Sequence, residues 1–161
     1  MIKSLSGRFL ILSIIFVMIA EVLIFVPSIA RFRQDYLIAR LEKAQIASLA
    51  VLASEDSVIG SELAQELLDN AGIYNVALRR NAVSQLVLSS PVPGQVTTLV
   101  DLREPSAFYL IRGAVEQLMM PEDGVIRVVG APTNSAGTMI DVTMPQAPLR
   151  VAMIEYGLRI L

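Results

Sequence analysis

The stretch FLILSIIFVMIAEVLIFVPSIA, residues 9–30, decides how the rest of this 161-residue chain is placed. Lys3 and Arg8 precede it. Four residues interrupt its apolar side chains: Ser13, Glu21, Pro27 and Ser28. A helix needs about 20 mostly apolar residues to cross the hydrocarbon core of a bilayer, and this run has 22. It therefore predicts one transmembrane helix, with residues 1–8 as a cytoplasmic tail.

The same run has an alternative interpretation as a signal peptide. Residues 1–8 resemble a basic n-region, residues 9–20 an apolar h-region, and residues 28–30 a small-residue cleavage site. The uncleaved anchor is preferred because the apolar run continues past Glu21, beyond the ~7 to 15 residues of an h-region. Cleavage after Ala30 would instead give an exported protein.

Glu21 is the unusual residue of the apolar run. A charged side chain costs on the order of 3 kcal/mol at the bilayer centre, so by default it faces a partner helix, water or an interfacial cation. Glu21 also lies within two turns of Pro27 and Arg31, where the far headgroups lower that cost and an arginine is in reach. Basic residues flank both ends of the run, so the positive-inside rule orients it only weakly.

Composition bounds what residues 31–161 can do. Their length fits one small domain with connecting helices. They carry 11 Lys and Arg against 14 Asp and Glu, without a basic stripe, which argues against nucleic-acid binding. The chain has no Cys and no His, which excludes disulfides, imidazole catalysis and thiolate or imidazole metal ligands. With no nucleotide-binding or nucleophile motif, we expect no catalytic residue, metal or cofactor here, and membrane lipids as a partner.

Residues 31–54 have the pattern of a juxtamembrane helix. Apolar and small residues recur at alternating steps of four and three: Leu37, Leu41, Ala44, Ser48 and Val51. Such a seam predicts pairing of two helices in a homodimer. It lasts only two heptads, however, and a single helix that docks on its own domain gives the same pattern.

Residues 55–147 have the pattern of an α+β domain with an antiparallel sheet and flanking helices. Strand patterns cover residues 73–78, 85–89, 96–102, 125–129 and 138–144, and helical patterns cover 61–71 and 105–120. A last helical pattern, at 149–161, follows the domain. Ser61 is expected to cap the first of these helices. The buried face of the second is expected to contain Phe108, Ile111, Val115, Leu118 and Met119. Residues 79–82 are expected to form a longer hairpin loop.

The best ligand-binding candidates are arginines and tyrosines. Arginine forks bind carboxylate or phosphate, and tyrosine adds a flat wall with a polar tip. The predicted candidates are Tyr74, Arg79, Arg103, Tyr109 and Arg112, with Arg80 beside them. Ordinary structural roles compete with this interpretation.

Some of the candidate binding residues also have an ordinary structural explanation. Arg112 lies four residues before Glu116, so the two side chains can simply pair on the helix surface. Tyr109 lies one turn before Arg112 and either lines a pocket with it or packs at the edge of the core. Glu122 and Asp123 either bind a divalent cation or form an ordinary turn.

The layout resembles a known family. Residues 16–30, the helix that begins Arg31-Phe32-Arg33 and the segment from Pro148 to Leu161 resemble the N-terminal input region of bacterial two-component sensor histidine kinases, particularly alphaproteobacterial ones. The similarity covers essentially the whole chain. It implies an inner-membrane helix, a periplasmic PAS-like sensor domain of the PDC or Cache type, and an exit helix over residues 148–161 toward a second span.

The resemblance also implies a function. In that family a ligand or membrane state biases the exit helix of a homodimer, and a HAMP linker and kinase core follow. The phosphoacceptor histidine and the ATP-binding box are not in these residues, so ATP, Mg²⁺ and the response regulator belong, by resemblance, to a parent protein. The small-molecule ligand is not identified. Two alternatives remain: a single-pass envelope binding protein, and an exported binding protein.

Overall fold

The computed structural model describes residues 5–53, 60–80, 83–119, 124–131 and 138–161. In chain order these residues form α1 (Leu5–Ala53), α2 (Ser61–Ala71), β1 (Asn75–Arg80), β2 (Val83–Ser89), β3 (Val96–Asp101), α3 (Ala107–Met119), β4 (Val125–Gly130), β5 (Thr138–Pro145) and α4 (Ala147–Ile160). The predicted α+β class is confirmed, and each predicted helix and strand has a counterpart.

Helix α1 is one continuous helix of 49 residues. Pro27 lies inside it and has no N–H to donate to the carbonyl one turn earlier. One residue later, the Ser28 hydroxyl donates to the Ile24 carbonyl at 2.8 Å. The helix expected over residues 31–54 is therefore continuous with the apolar run.

The N-terminal part of α1 is long and apolar enough to cross a membrane. An 18-residue window has a mean hydropathy of 3.0, and none of that window is buried. By length and composition this part of α1 could be a membrane anchor, a signal sequence or the core helix of a soluble protein, although a core helix is mostly buried and this window is not. Glu21 is exposed on this part of the helix.

The five strands form one mixed sheet in the order β2-β1-β5-β4-β3. The β1–β2, β1–β5 and β4–β5 pairs are antiparallel, whereas β3 and β4 are parallel. The prediction of a wholly antiparallel sheet is wrong at this one pair. The reason is that α3 connects β3 to β4 and carries the chain back along the sheet, as parallel neighbours require.

Two local predictions are corrected by backbone hydrogen bonding. Strand β1 continues to Arg80 and β2 begins at Val83, because Arg79 pairs with Ser84 on one side and with Met139 on the other. The connection is therefore residues 81–82 rather than 79–82. Ser61 does not cap α2: Gly60 occupies the N-cap with φ −54° and ψ 140°, and no side chain caps the helix.

The predicted dimer seam lies inside the protomer. Four of its members, Leu37, Leu41, Ala44 and Ser48, are at most 3% exposed, and Val51 packs on the same core. Helix α1 contacts β4 and β5, and the core also contains apolar residues of the sheet such as Ile126, Val128, Ile140 and Val142. The seam therefore docks α1 on its own domain, whose core is not confined to residues 55–147.

Helix α1 approaches β4 closely at Gly130. A Cβ atom added at Gly130 would lie 2.5 Å from Leu41 Cδ1, closer than carbon atoms approach without overlap. The missing side chain at this strand position is what allows the Leu41 side chain to fill the core.

The predicted buried face of α3 is partly wrong. Phe108 is 75% exposed, Met119 is 81% exposed and Val115 is 37% exposed, whereas Ala114 and Gln117 are buried. Ile111 and Leu118 pack partly against the core. Gly113 and Ala114 have small side chains, which allow α3 to pack close to α1. Because this face of α3 is the buried one, the larger apolar side chains of Phe108 and Met119 lie on the solvent side.

Helix α4 runs back along α1 in the opposite direction. It starts beside Gly124, where the Gln146 N–H donates to the Gly124 carbonyl at 2.9 Å. A Cβ atom added at Gly157 would lie 3.3 Å from both Ile29 Cδ1 and Phe25 Cζ. The Tyr156 ring also stacks on the Phe32 ring, with 4.4 Å between centroids. Helix α4 therefore leads away from the sheet and toward the apolar part of α1.

The close contact at Gly130 gives the first testable prediction. We expect Gly130→Val to destabilise the protein by about 1 to 3 kcal/mol, because the added side chain overpacks the Leu41 contact. Thermal unfolding of the full chain in detergent micelles, followed by circular dichroism, measures the change. Gly60→Ala is the matched control, since a Cβ atom there meets nothing within 4 Å. Equal melting temperatures for the two variants would refute the packing argument.

Candidate functional site

A cavity of about 230 Å³ lies between α1, β3 and α3. Its lining residues are Arg33 from α1, Thr98, Leu99 and Val100 from β3, and Tyr109, Arg112, Gly113, Glu116 and Gln117 from α3. The α3 residues repeat at three- and four-residue steps, so they share one helix face. We call this space the Arg33 cavity.

Arg33 is a buried cation without a full set of hydrogen bonds. It is 3% exposed, and within the described parts of the chain its Nε–H has no hydrogen-bond partner. Burial lowers the pKa of Arg33, and Tyr109 and Glu116 partly offset that shift. An arginine stays protonated nonetheless. The cavity therefore contains a fixed and poorly solvated positive charge.

Gly113 allows the Arg33 guanidinium to lie against the backbone of α3. A Cβ atom added at Gly113 would be 3.0 Å from Arg33 Nη1 and 3.4 Å from Arg33 Cζ. A Cβ atom at this position would require the guanidinium to shift by a few tenths of an ångström. Because Gly113 has no side chain, the Arg33 side chain of α1 packs directly on α3, and the two helices are in contact at this point.

Gln117 adds a second unsatisfied donor to the same cavity. It is 2% exposed, and its side-chain nitrogen has no hydrogen-bond partner among the residues described. A buried polar group left in this state costs about 1 to 3 kcal/mol. Two residues that line the Arg33 cavity thus each contain one buried donor atom without an acceptor in the described part of the chain.

Two residues that line the Arg33 cavity form an ion pair. Arg112 Nε donates to Glu116 Oε1 at 2.7 Å, and both side chains are exposed. The local pairing that the spacing allowed is therefore present. With Arg33, these residues give the cavity two positive charges and one negative charge, a formal sum of +1.

Tyr109 connects the Arg33 cavity to a second, more open cavity. This second cavity, of about 690 Å³, is lined by Asp101, Arg103, Glu104, Ser106, Tyr109, Ala131 and Met139. The Tyr109 hydroxyl oxygen accepts a hydrogen bond from the Asp101 N–H at 3.1 Å. That bond leaves the hydroxyl proton of Tyr109 to donate elsewhere.

Arg103 is engaged by its own neighbour. Its Nε lies 2.9 and 3.0 Å from the two carboxylate oxygens of Asp101, and its Nη2 donates to the same carboxylate. The side-chain and backbone hydrogen bonds from Arg103 lower the pKa of Asp101 to about 2. Arg103 is therefore a weak candidate for binding an external anion.

The structure gathers some of the predicted site residues and separates others. Tyr109 and Arg112 meet in the Arg33 cavity, and Tyr109 and Arg103 in the second one. Tyr74 instead extends the sheet through its backbone N–H, which donates to Thr143 at 2.7 Å. Arg79 is exposed on β1. Neither Tyr74 nor Arg79 lines the two cavities.

Two other predicted positions, Glu122 and Asp123, lie outside the described residues. Within the part of the chain that is described, no cluster of three or more potential metal ligands occurs. Arg80 ends β1, where it pairs with Val83 and Thr138 in the ladder register.

Arg33 and Gln117 are functional candidates that reasoning from sequence missed. A signal for Arg33 exists: it lies four residues before Leu37 and eight before Leu41, on the stripe that becomes buried. A charged residue on an apolar stripe indicates either a partner or a site. Gln117 carries no such signal, because it looks like a surface residue of an amphipathic helix.

No protein-family model matches this chain, and no curated protein and no solved structure is detectably similar to it.

The pair in the second cavity predicts a pH dependence. Arg103→Gln removes the hydrogen bonds that lower the pKa of Asp101, so that pKa should return from about 2 toward 3.8. Because the folded-state pKa is lowered, the stabilisation from this pair is complete above about pH 3.9 and is lost as the pH falls toward 2. Titration of the Asp101 carboxyl ¹³C shift measures both values. Arg112→Gln, whose arginine pairs with Glu116, should leave Asp101 unchanged; an unshifted Asp101 in Arg103→Gln contradicts the assignment.

Proposed function

We propose that this chain is the membrane-anchored input module of a sensor protein, of the two-component sensor histidine kinase type. In this proposal residues 9–30 anchor the chain in a bacterial inner membrane, and residues 31–161 lie mainly in the periplasm. The observation that carries it is the geometry of α1, a single helix that contains the apolar segment and supplies a wall of the Arg33 cavity.

The packing of Ile29 and Ala30 supports an uncleaved anchor. Ile29 is 4% exposed and Ala30 is 3% exposed, and both belong to the hydrophobic core. Phe25 packs against that core as well. Cleavage after Ala30 would therefore remove core side chains from the folded domain, at a cost typical of large-to-small changes in a core.

The helix contacts support a route from the cavity to the membrane. Arg33 on α1 lies against Gly113 on α3, so a ligand between these two helices has different contacts in different helix positions. A ligand shifts a conformational equilibrium only through such differential contacts. Helix α4 packs on the same part of α1 through Gly157, so a shift of α1 changes the surroundings of both helices that approach the apolar segment.

The kinase assignment rests on the resemblance in sequence. The described residues supply a cavity and a helical connection; phosphorylation, ATP, Mg²⁺ and a response regulator belong to other parts of the proposed parent protein. A homodimer remains part of the proposal. Its contact must use a surface other than the seam from Leu37 to Val51, which is occupied by the sheet.

Topology labelling tests the anchor. The chain has no cysteine, so single Ser6→Cys and Leu52→Cys variants each carry one thiol at an exposed position. In intact cells with a permeable outer membrane, we expect a membrane-impermeant maleimide to label Leu52→Cys but not Ser6→Cys. Permeabilising the inner membrane should expose both. Labelling of Ser6→Cys in intact cells, or a mature mass that lacks residues 1–30, would overturn the anchored topology.

The native reading frame beyond Leu161 tests the kinase assignment. A second apolar span, a linker and a kinase core with a phosphoacceptor histidine are the expected result. A stop codon directly after Leu161 would refute the sensor kinase and leave a single-pass binding protein, provided that the labelling result above holds.

A further inference from the structure

We infer that a groove beside the end of the apolar segment binds the headgroup of a phosphatidylethanolamine lipid. The groove has a volume of about 410 Å³. Its lining residues are Pro27, Ala30, Arg31, Gln34 and Asp35 of α1 and Ala107, Leu110 and Ile111 of α3. We call it the Arg31 groove. No described residue lines both this groove and the Arg33 cavity.

The Arg31 groove lies at the level of the lipid headgroups. The apolar run ends at Ala30, and Arg31 and Asp35 follow it on the same continuous helix. At 1.5 Å per residue, Asp35 lies about 8 Å beyond the end of the run along the helix axis. The inference rests on the anchored topology of the proposed function, which places this level of the chain at the membrane surface.

Two side chains of opposite charge line the groove without pairing with each other. Arg31 and Asp35 are both exposed, and within the described parts of the chain neither forms a salt bridge. A basic residue four positions before an acidic one is the less favourable order for an ion pair on a helix. Both charged groups are therefore accessible to a ligand in the groove.

The two charges match a zwitterionic headgroup in sign and in order. In a phospholipid the phosphate is bonded to the glycerol, and the amine lies two carbon atoms further from the hydrocarbon core. Arg31, next to the apolar run, presents a guanidinium fork that suits a phosphate. Asp35 lies about 6 Å further along the helix axis and accepts N–H groups from the amine. A headgroup without an amine would leave the Asp35 carboxylate without a cation.

The amine selects phosphatidylethanolamine among zwitterionic lipids. A primary ammonium has three N–H donors, and its hydrogen bond to a carboxylate is about twice as strong as a neutral one. Phosphatidylcholine has the same two charges but no N–H group. The Asp35 carboxylate therefore distinguishes the two lipids by hydrogen bonding rather than by charge.

The apolar wall of the groove favours a lipid over a soluble phosphate ester. Leu110 and Ile111 form part of the α3 side, together with Ala107. The first turn of α3 also contains Phe108, which is 75% exposed. These apolar groups suit the glycerol and the first carbons of the acyl chains, which a soluble headgroup lacks.

Titration with short-chain lipids tests the groove. We expect dioctanoyl-phosphatidylethanolamine to bind the full chain in detergent micelles about 3- to 5-fold more tightly than the phosphatidylcholine or phosphatidylglycerol analogue, the size of one exposed charge-assisted contact. Native mass spectrometry measures the three affinities. Phosphoethanolamine, the headgroup without acyl chains, should not compete at the same concentration. Equal affinities for the three lipids, or equal binding of phosphoethanolamine, overturn the inference.

Three variants separate the contributions to binding. Asp35→Asn should lower the affinity for phosphatidylethanolamine to that for phosphatidylcholine and leave the latter unchanged. Arg31→Gln should weaken the binding of both lipids by about 3- to 5-fold, because it removes the phosphate contact. Ala107→Trp adds bulk to the groove wall without changing a charge, and it should also weaken both. A preference for phosphatidylethanolamine that survives Asp35→Asn refutes the assignment.

Glu42→Gln and Lys43→Gln are the matched controls. Both residues are exposed on α1, about 10 Å beyond Asp35 along the helix axis, and both variants should bind lipid as the wild type does. Because Arg31, Asp35 and Ala107 are exposed, their variants should melt at the wild-type temperature. Orientation in the cell plays no part in micelles, so failure here refutes only this inference. A failed labelling test refutes only the proposed topology.

Discussion

The packing of α1 across the sheet is the contact on which the rest of the structure depends. One stripe of this helix, from Ile29 to Ser48, is buried in the core, where α1 contacts β2, β4 and β5. Burial of apolar surface is the dominant favourable term in folding, and here α1 shares the helical side of the core with Leu68 of α2, Ala114 of α3 and Met153 of α4. Gly130 permits the closest part of that contact. The position of Arg33 beside α3 follows from it.

Several arginines have hydrogen-bond or ion-pair partners within the protein and differ in this respect from Arg33 in the candidate site. Arg103 pairs with Asp101, Arg112 with Glu116, and Arg127 with Asp141 across β4 and β5. Arg40 donates to the Ala71 carbonyl at the end of α2 at 2.5 Å and to the Tyr36 hydroxyl, a favourable place for a cation. Among these residues, Arg33 combines deep burial with an unsatisfied donor.

A buried cation with an unsatisfied donor reduces stability, and a fold retains such a feature where it serves a purpose. The Arg33 side chain bridges two helices, and one of them continues into the apolar segment. The cavity lies at the contact between α1 and α3. Helix α4 packs on the neighbouring stretch of α1 through Phe25, Ile29 and Gly157, so α1 is in contact with both α3 and α4.

The sequence by itself determined the apolar N-terminal helix, its continuation, the α+β class and the order of all elements, because hydrophobic periodicity and turn residues are local signals. It also determined that Arg112 can pair with Glu116, since four-residue spacing on a helix fixes that contact. Only the tertiary structure decided that the stripe from Leu37 to Val51 faces its own sheet, that β3 and β4 are parallel, and that Phe108 and Met119 face solvent. The physical reason is that a stripe or strand pattern specifies a buried face but not the surface that buries it. The Arg33 cavity has the same origin, because residues from three separate elements form it.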